Sequence, residues 1–125
     1  RVDDAVCAVR SALEEGILPG GGIALYNESR KCDDSIAGKI LHKALAAPFN
    51  QIAENAGVII NPEEQKPYNF GYDIKNNSKY GDMYKMGIID PLKVTKSALQ
   101  NAVSVAVTIL STNAIITMAR SYEDR

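Results

Sequence analysis

Residues 19–22 read Pro-Gly-Gly-Gly, and no regular helix crosses them. Proline lacks the amide hydrogen that a helix interior needs, and glycine loses more backbone entropy on folding than any other residue. The run therefore divides the chain. Before it, Val2, Ala5, Val6, Val9, Ala12 and Leu13 recur at helical spacing. Asp3 and Asp4 fall in the first turn of that helix, where its dipole favours acids. Gly16 is the expected stop, just past the helix end. After the run, Ile23–Tyr26 suits either a new helix or a short strand. Three adjacent glycines imply a loose hinge or a place where the backbone must lie close against something. They are not a dinucleotide fingerprint, which follows a strand and opens a helix. No Gly-Lys-Ser/Thr follows either, so they are not a phosphate-binding P-loop.

The rest of the chain reads as mainly helical with a small β element. Asn27–Asp34 is polar and predicts a loop, and Asp33, Asp34 or Ser35 can cap the next helix. Ile36, Ile40, Leu41, Ala44 and Leu45 form that helix's apolar stripe. Pro48 is expected to interrupt it and open another helix. Phe49, Ile52, Ala53 and Ala56 then carry the buried face to Gly57. Val58–Lys66 predicts a short strand or coil, then an acidic loop. Tyr68, Phe70 and Tyr72 alternate as in a strand, Asn76-Asn77-Ser78 is a turn, and Met86–Ile89 suits another short strand. Residues 68–90 thus predict a small antiparallel element. Asp90-Pro91 pairs a capping acid with a proline at the first helical position, and the helix should run to about Ser111. Its VSVAVTIL segment also alternates, but the length of the pattern and the cap decide for helix. From Ala102 to Leu110 it is apolar on nearly all sides, which predicts burial between helices. Ala114–Met118 reads as a short strand and Ser121–Arg125 as a polar tail.

The whole chain bounds the function. Its 125 residues make one domain's worth of chain at most. Lys and Arg number 14 against 15 Asp and Glu, a formal net charge of −1. That balance argues against a general nucleic-acid or membrane-surface binder. No apolar run reaches the roughly 18–20 residues that span a bilayer. Cys7 and Cys32 form no CxxC pair and His42 is the only histidine, too few ligands for a zinc site. Two free thiols in a reducing compartment is the plain reading. Taken singly, the candidate residues are bland. Asp4 is a dipole-stabilising acid, Asp90 a helix cap, Tyr72 a strand aromatic, and His42 a solvated side chain beside Lys43. The chain opens at Arg1 inside a helical pattern, which suggests a piece of something longer.

Taken in order, the segments resemble one family. RVDDAVCAVRSALEEGILPGGGIAL resembles the region of the group I chaperonins, the GroEL family, that reads Arg-Val-acid-Asp-Ala, a helix, Glu-Glu-Gly and Gly-Gly-Gly. APFNQIAENAG resembles that family's A-P-x-x-Q-I-x-x-N-x-G. FGYD, then MGIIDPLKVTKSALQNAVSVA, resemble its later motifs, and the matches span nearly the whole chain. The resemblance implies that residues 1–15 are the end of an intermediate-domain helix. Residues 16–125 would be the second, mostly helical half of an equatorial, ATP-binding domain.

The resemblance also implies roles. Gly20 and Gly21 would lie against the nucleotide. Asp4 would be the catalytic carboxylate that orients the attacking water, carried on a helix that swings over the ATP. Asp90 would accept hydrogen bonds from the ribose hydroxyls, and Ile52, Tyr72, Asp73, Ile74 and Ile88 would line the nucleoside pocket. The parent would be an ATP-driven folding machine, cytoplasmic or in an organelle matrix, using Mg2+ and K+. Its partners would be other subunits in a double ring, unfolded clients and a co-chaperonin. Departures from the pattern are specific. The family usually has Asn where Asp73 stands; an amide can donate to adenine and a carboxylate cannot. It commonly has small residues in place of Ile74 and Lys75. The Gly-Asp-Gly-Thr-Thr phosphate loop and the magnesium-binding aspartate do not occur in these residues, so the chain alone is expected to be inactive. It is also expected to self-associate through uncovered apolar surface and the Ala114–Met118 edge. The alternative is a degenerate chaperonin-like scaffold that assembles without hydrolysing ATP.

Overall fold

The computed structural model describes residues 1–60 and 67–112. The elements are α1 (Val2–Glu15), β1 (Ile17–Pro19), α2 (Ile23–Ser29) and α3 (Ile36–Asn55), then β2 (Phe70–Asp73), β3 (Lys79–Asp82), β4 (Ile89–Pro91) and α4 (Leu92–Leu110). The architecture is mainly α with two small antiparallel sheets, as the sequence predicts. Two compact units divide the chain, Arg1–Val94 and Thr95–Arg125. The expected strand at Ala114–Met118, the polar tail and the acidic loop before Lys66 lie outside the described residues.

In the first unit, α1 starts with Asp3 and Asp4 in its first turn and ends at Gly16, whose amide donates to the Ala12 carbonyl at φ +96°. Its apolar stripe is not covered: Val2, Val6, Val9 and Leu13 are all exposed. The chain then turns straight into β1, a strand the sequence reading missed. Three residues are too few to show a periodicity. β1 pairs antiparallel with β4, in register Ile17 with Pro91, Leu18 with Asp90 and Pro19 with Ile89. The Met86–Ile89 strand of the prediction therefore begins later and joins β1, not the hairpin. The hairpin itself is β2 and β3, pairing Phe70 with Asp82 and Tyr72 with Tyr80. Its turn holds Asn77 and Ser78 at φ +57° and +56°. Asparagine tolerates that left-handed region better than most residues.

Ile23–Ser29 settles as helix, so the expected loop is shorter than Asn27–Asp34. Ser35 caps α3, its hydroxyl accepting the Gly38 amide hydrogen at 3.0 Å. His42 is not merely solvated, because its Nδ1 lies 2.7 Å from the Ser29 carbonyl oxygen and bridges α3 to the end of α2. Pro48 does not break α3, which runs 20 residues through it. An interior proline costs about 3 kcal/mol. Leu45 and Phe49 are both buried on this helix. Burying each contributes roughly 1.5–3 kcal/mol, enough together to offset that cost. Of the expected stripe only Leu45 is buried, since Ile36 is 81%, Ile40 67% and Leu41 45% exposed and Ala44 is exposed as well. Past Asn55 the Gly57 amide donates to Glu54 and the Val58 amide to Ala53, with Gly57 at φ +69°. This glycine closure satisfies the last carbonyls of the helix.

Asp90 and Pro91 do not cap α4 as predicted; both belong to β4 and the helix starts at Leu92. The residue before a proline is biased to extended backbone, and the pairing with β1 holds it there. The Leu92 amide continues that contact by donating to the Gly16 carbonyl at 3.0 Å. α4 ends at Leu110 as expected, but no residue of it is buried. Residues 102–110, predicted to be buried, are exposed, and α4 is the only element described in the second unit.

Candidate functional site

The core of the first unit is Ile23, Phe49 and Met83, with Tyr26, Ile60, Tyr72, Met86 and Ile88 packed around them. Phe49 stands 4.9 Å from Tyr26 and 6.2 Å from Tyr72, ring centre to ring centre, and Tyr72 stands 5.2 Å from its cross-strand partner Tyr80. The glycine loop crosses this cluster. The Gly20 amide donates to the Ile88 carbonyl at 2.9 Å. A Cβ on Gly20 would sit 3.1 Å from the Ile88 carbonyl carbon and from the Ile89 nitrogen. A Cβ on Gly22 would sit 2.8 Å from the Phe49 nitrogen and 2.9 Å from its Cα. Gly21 and Gly22 have φ of +69° and +80°, a region costly for any residue with a side chain. The close approach that three glycines imply is thus, among the described residues, an approach to the chain's own backbone. Gly22, missing from the predicted site, is the tightest of the three.

Of the predicted residues, the structure sets Ile88 against this loop and Tyr72 in the cluster that the loop crosses. Ile88 is half-buried and bonded to Gly20. Asp90 lies two residues further, opposite Leu18 on β4. Desolvation pushes its carboxyl above the ordinary value of 3.8. Among the described residues no hydrogen bond or ion pair engages it. Tyr72 is half-buried beside Phe49. Asp73 ends β2, and its Oδ2 accepts the Asn76 side-chain amide at 2.7 Å. Ile74 begins the turn and is half-buried. Ile52 is on α3, one turn from Phe49, and 37% exposed.

Asp4 is not gathered with them. It is exposed in the first turn of α1. Ten residues later the carboxylate of Glu14 holds the Lys93 ammonium. At 1.5 Å per residue, Asp4 stands about 15 Å up the helix from that ion pair. The ion pair raises the Lys93 pKa, chiefly because the ammonium donates a hydrogen bond to Glu14. Sequence reasoning also passed over Met83, because its neighbours Asp82 and Tyr84 give no apolar pattern. Among the described residues no group of three His, Cys, Asp or Glu could hold a metal ion. Both cysteines are free. No described helix is long and apolar enough to cross a membrane.

This arrangement has relatives. Residues 1–120 match the TCP-1/cpn60 chaperonin family. The chain belongs to that family. Its fold is similar to a group III chaperonin solved in the open state, with a TM-score of 0.71 and 29% identity. That likeness covers 85% of this chain and 25% of the other, so the chain spans a quarter of the length of the chaperonin it matches.

Proposed function

We propose that this chain supplies half of the nucleotide pocket of an ATP-driven chaperonin of the group I type. In this reading residues 1–15 end an intermediate-domain helix, and residues 16–125 form the second half of an equatorial domain. One observation carries it. The Asp90 carboxylate is exposed, engaged by no hydrogen bond or ion pair among the described residues, and opposite Leu18 on the strand that leads into the glycine loop. An ionised carboxylate only accepts hydrogen bonds. A ribose offers two adjacent hydroxyl donors, so the residues present fit a nucleoside at this point. Gly20 and Gly21 would give it a flat backbone surface, with Ile88, Tyr72 and Ile52 as apolar walls and Ile74 at the rim. Asp73 fits less well: Asn76 occupies one carboxylate oxygen, and neither oxygen can donate to a base. ATP with its Mg2+ and K+ would be held mainly by residues outside this chain. Those residues and this chain would together supply the chemistry of phosphoryl transfer. Asp4 would act on the attacking water once α1 brings it to the phosphates. The full protein would fold client proteins in a double ring, with a co-chaperonin, in the cytoplasm or an organelle matrix. The isolated chain would self-associate through the exposed faces of α1 and α4.

The test is ATP binding and turnover by the full-length protein, wild type beside Asp4→Ala. Turnover should fall at least about 100-fold in the variant while ATP still binds. A wild-type protein that binds no ATP would overturn the reading. The Asp73–Asn76 hydrogen bond favours a second one, a scaffold that assembles without hydrolysis. Binding without turnover in the wild type would select it.

A further inference from the structure

Three backbone segments of the pocket proposed above meet at one side chain. Met83 is only 1% exposed and shares the core with Ile23 and Phe49. Its Cε lies 3.5 Å from the place a Cβ on Gly21 would take. Its Sδ and Cγ lie 3.0 and 3.1 Å from the corresponding place on Gly71, the residue before Tyr72. Its carbonyl accepts the Ile88 amide hydrogen at 3.0 Å, and its own amide donates to the Asn69 carbonyl at 2.8 Å. The glycine loop, β2 and the segment entering β4 are therefore all spaced from the same residue.

We propose that Met83 is a positioning residue for the nucleoside, its thioether setting the gap between Gly21 and the strand that carries Tyr72. The proposal rests on the nucleotide reading of the pocket. A methionine suits the task because it is unbranched and long enough to lie between two backbones. Gly71 leaves it that space by having no side chain, and the Cε end then comes to rest beside Gly21. Leucine keeps nearly the same volume but ends one atom earlier, so it no longer reaches Gly21. Alanine at Gly71 acts from the other side, placing a methyl 3.0 Å from the sulfur and driving the thioether toward Gly21.

The experiment measures calorimetric Kd values on the full-length protein for ATP and for tripolyphosphate, which has no nucleoside. Met83→Leu and Gly71→Ala should each weaken ATP about tenfold, the scale expected from misplacing a contact by a fraction of an ångström. Tripolyphosphate affinity should stay unchanged in both. A purely structural role would weaken both ligands together, and that result overturns the proposal. So does an unchanged ATP Kd in both variants. If the wild type binds tripolyphosphate but shows no preference for ATP, the nucleoside pocket itself is refuted, and the failure lies with the reading beneath.

Discussion

Alanine at Gly22 should destabilise the fold far more than alanine at Gly21, although the two glycines are neighbours with nearly equal φ. Both positions lie in the left-handed region, at +69° and +80°. A side chain there costs about 1–2 kcal/mol at either site. Both substitutions also stiffen the unfolded chain, which returns about 0.4–1 kcal/mol to each. These contributions cancel in the comparison. What remains is space. The Gly21 Cβ would make an ordinary contact, 3.5 Å from the mobile end of Met83. The Gly22 Cβ would stand 2.8 Å and 2.9 Å from backbone atoms of Phe49, in the middle of a 20-residue helix. A helix backbone cannot rotate aside as a side chain can. Overpacking of this kind costs about 1–3 kcal/mol. Equilibrium urea unfolding of the two variants at equal m-value reads the difference directly. A Gly22→Ala midpoint no lower than that of Gly21→Ala would refute the packing argument. It would leave backbone strain as the whole reason for the glycine run.

Three further outcomes concern Asp90 and Ser35. Desolvation raises the Asp90 pKa above 3.8, so the folded chain holds this proton more tightly than the unfolded chain. Its contribution to stability is present at low pH and is lost as pH rises through the folded pKa. Asp90→Asn should flatten that slope in urea midpoints taken from pH of about 3 to 7. ATP affinity of the wild type should strengthen over the same rise, because ribose hydroxyls bond the ionised form; an affinity flat in pH would count against the ribose contact. Ser35→Ala should cost about 1 kcal/mol through loss of the α3 cap. Faster amide exchange at Gly38, the residue whose N–H the hydroxyl holds, should accompany it.

The parts of the fold that local pattern controls were legible. The α1 periodicity with Gly16 behind it, the Ser35 cap, the Gly57 closure and the Tyr72 strand each depend on residues a few positions apart. What escaped depends on distance. β1 exists because Ile17–Pro19 meets Ile89–Pro91, more than seventy residues away. Pro48 stays inside α3 because buried neighbours hold the helix around it, and its own propensity gives no hint of them. The glycine run was visible as a place of close approach. Its partners in the structure, Ile88 and Phe49, could not be read from the run itself. Tyr72, Ile88 and Asp90 enter the proposed nucleotide pocket only through a resemblance. Met83 was not reached at all, since a lone methionine between Asp82 and Tyr84 carries no periodic signal.

The ion pair between Glu14 and Lys93 sits two residues from Gly16, where a Cβ would meet nothing within 4 Å. Asp4 lies twelve residues from the same glycine. On a rigid helix those separations are lever arms of about 3 Å and about 18 Å. A turn of about 20° at Gly16 would carry Asp4 through roughly 6 Å of arc while shifting Glu14 by only about 1 Å. A flexible lysine stem absorbs that smaller movement. Were α1 to turn at Gly16, the pair would act as a tether beside the pivot, holding the near end of the lever while its far end travels.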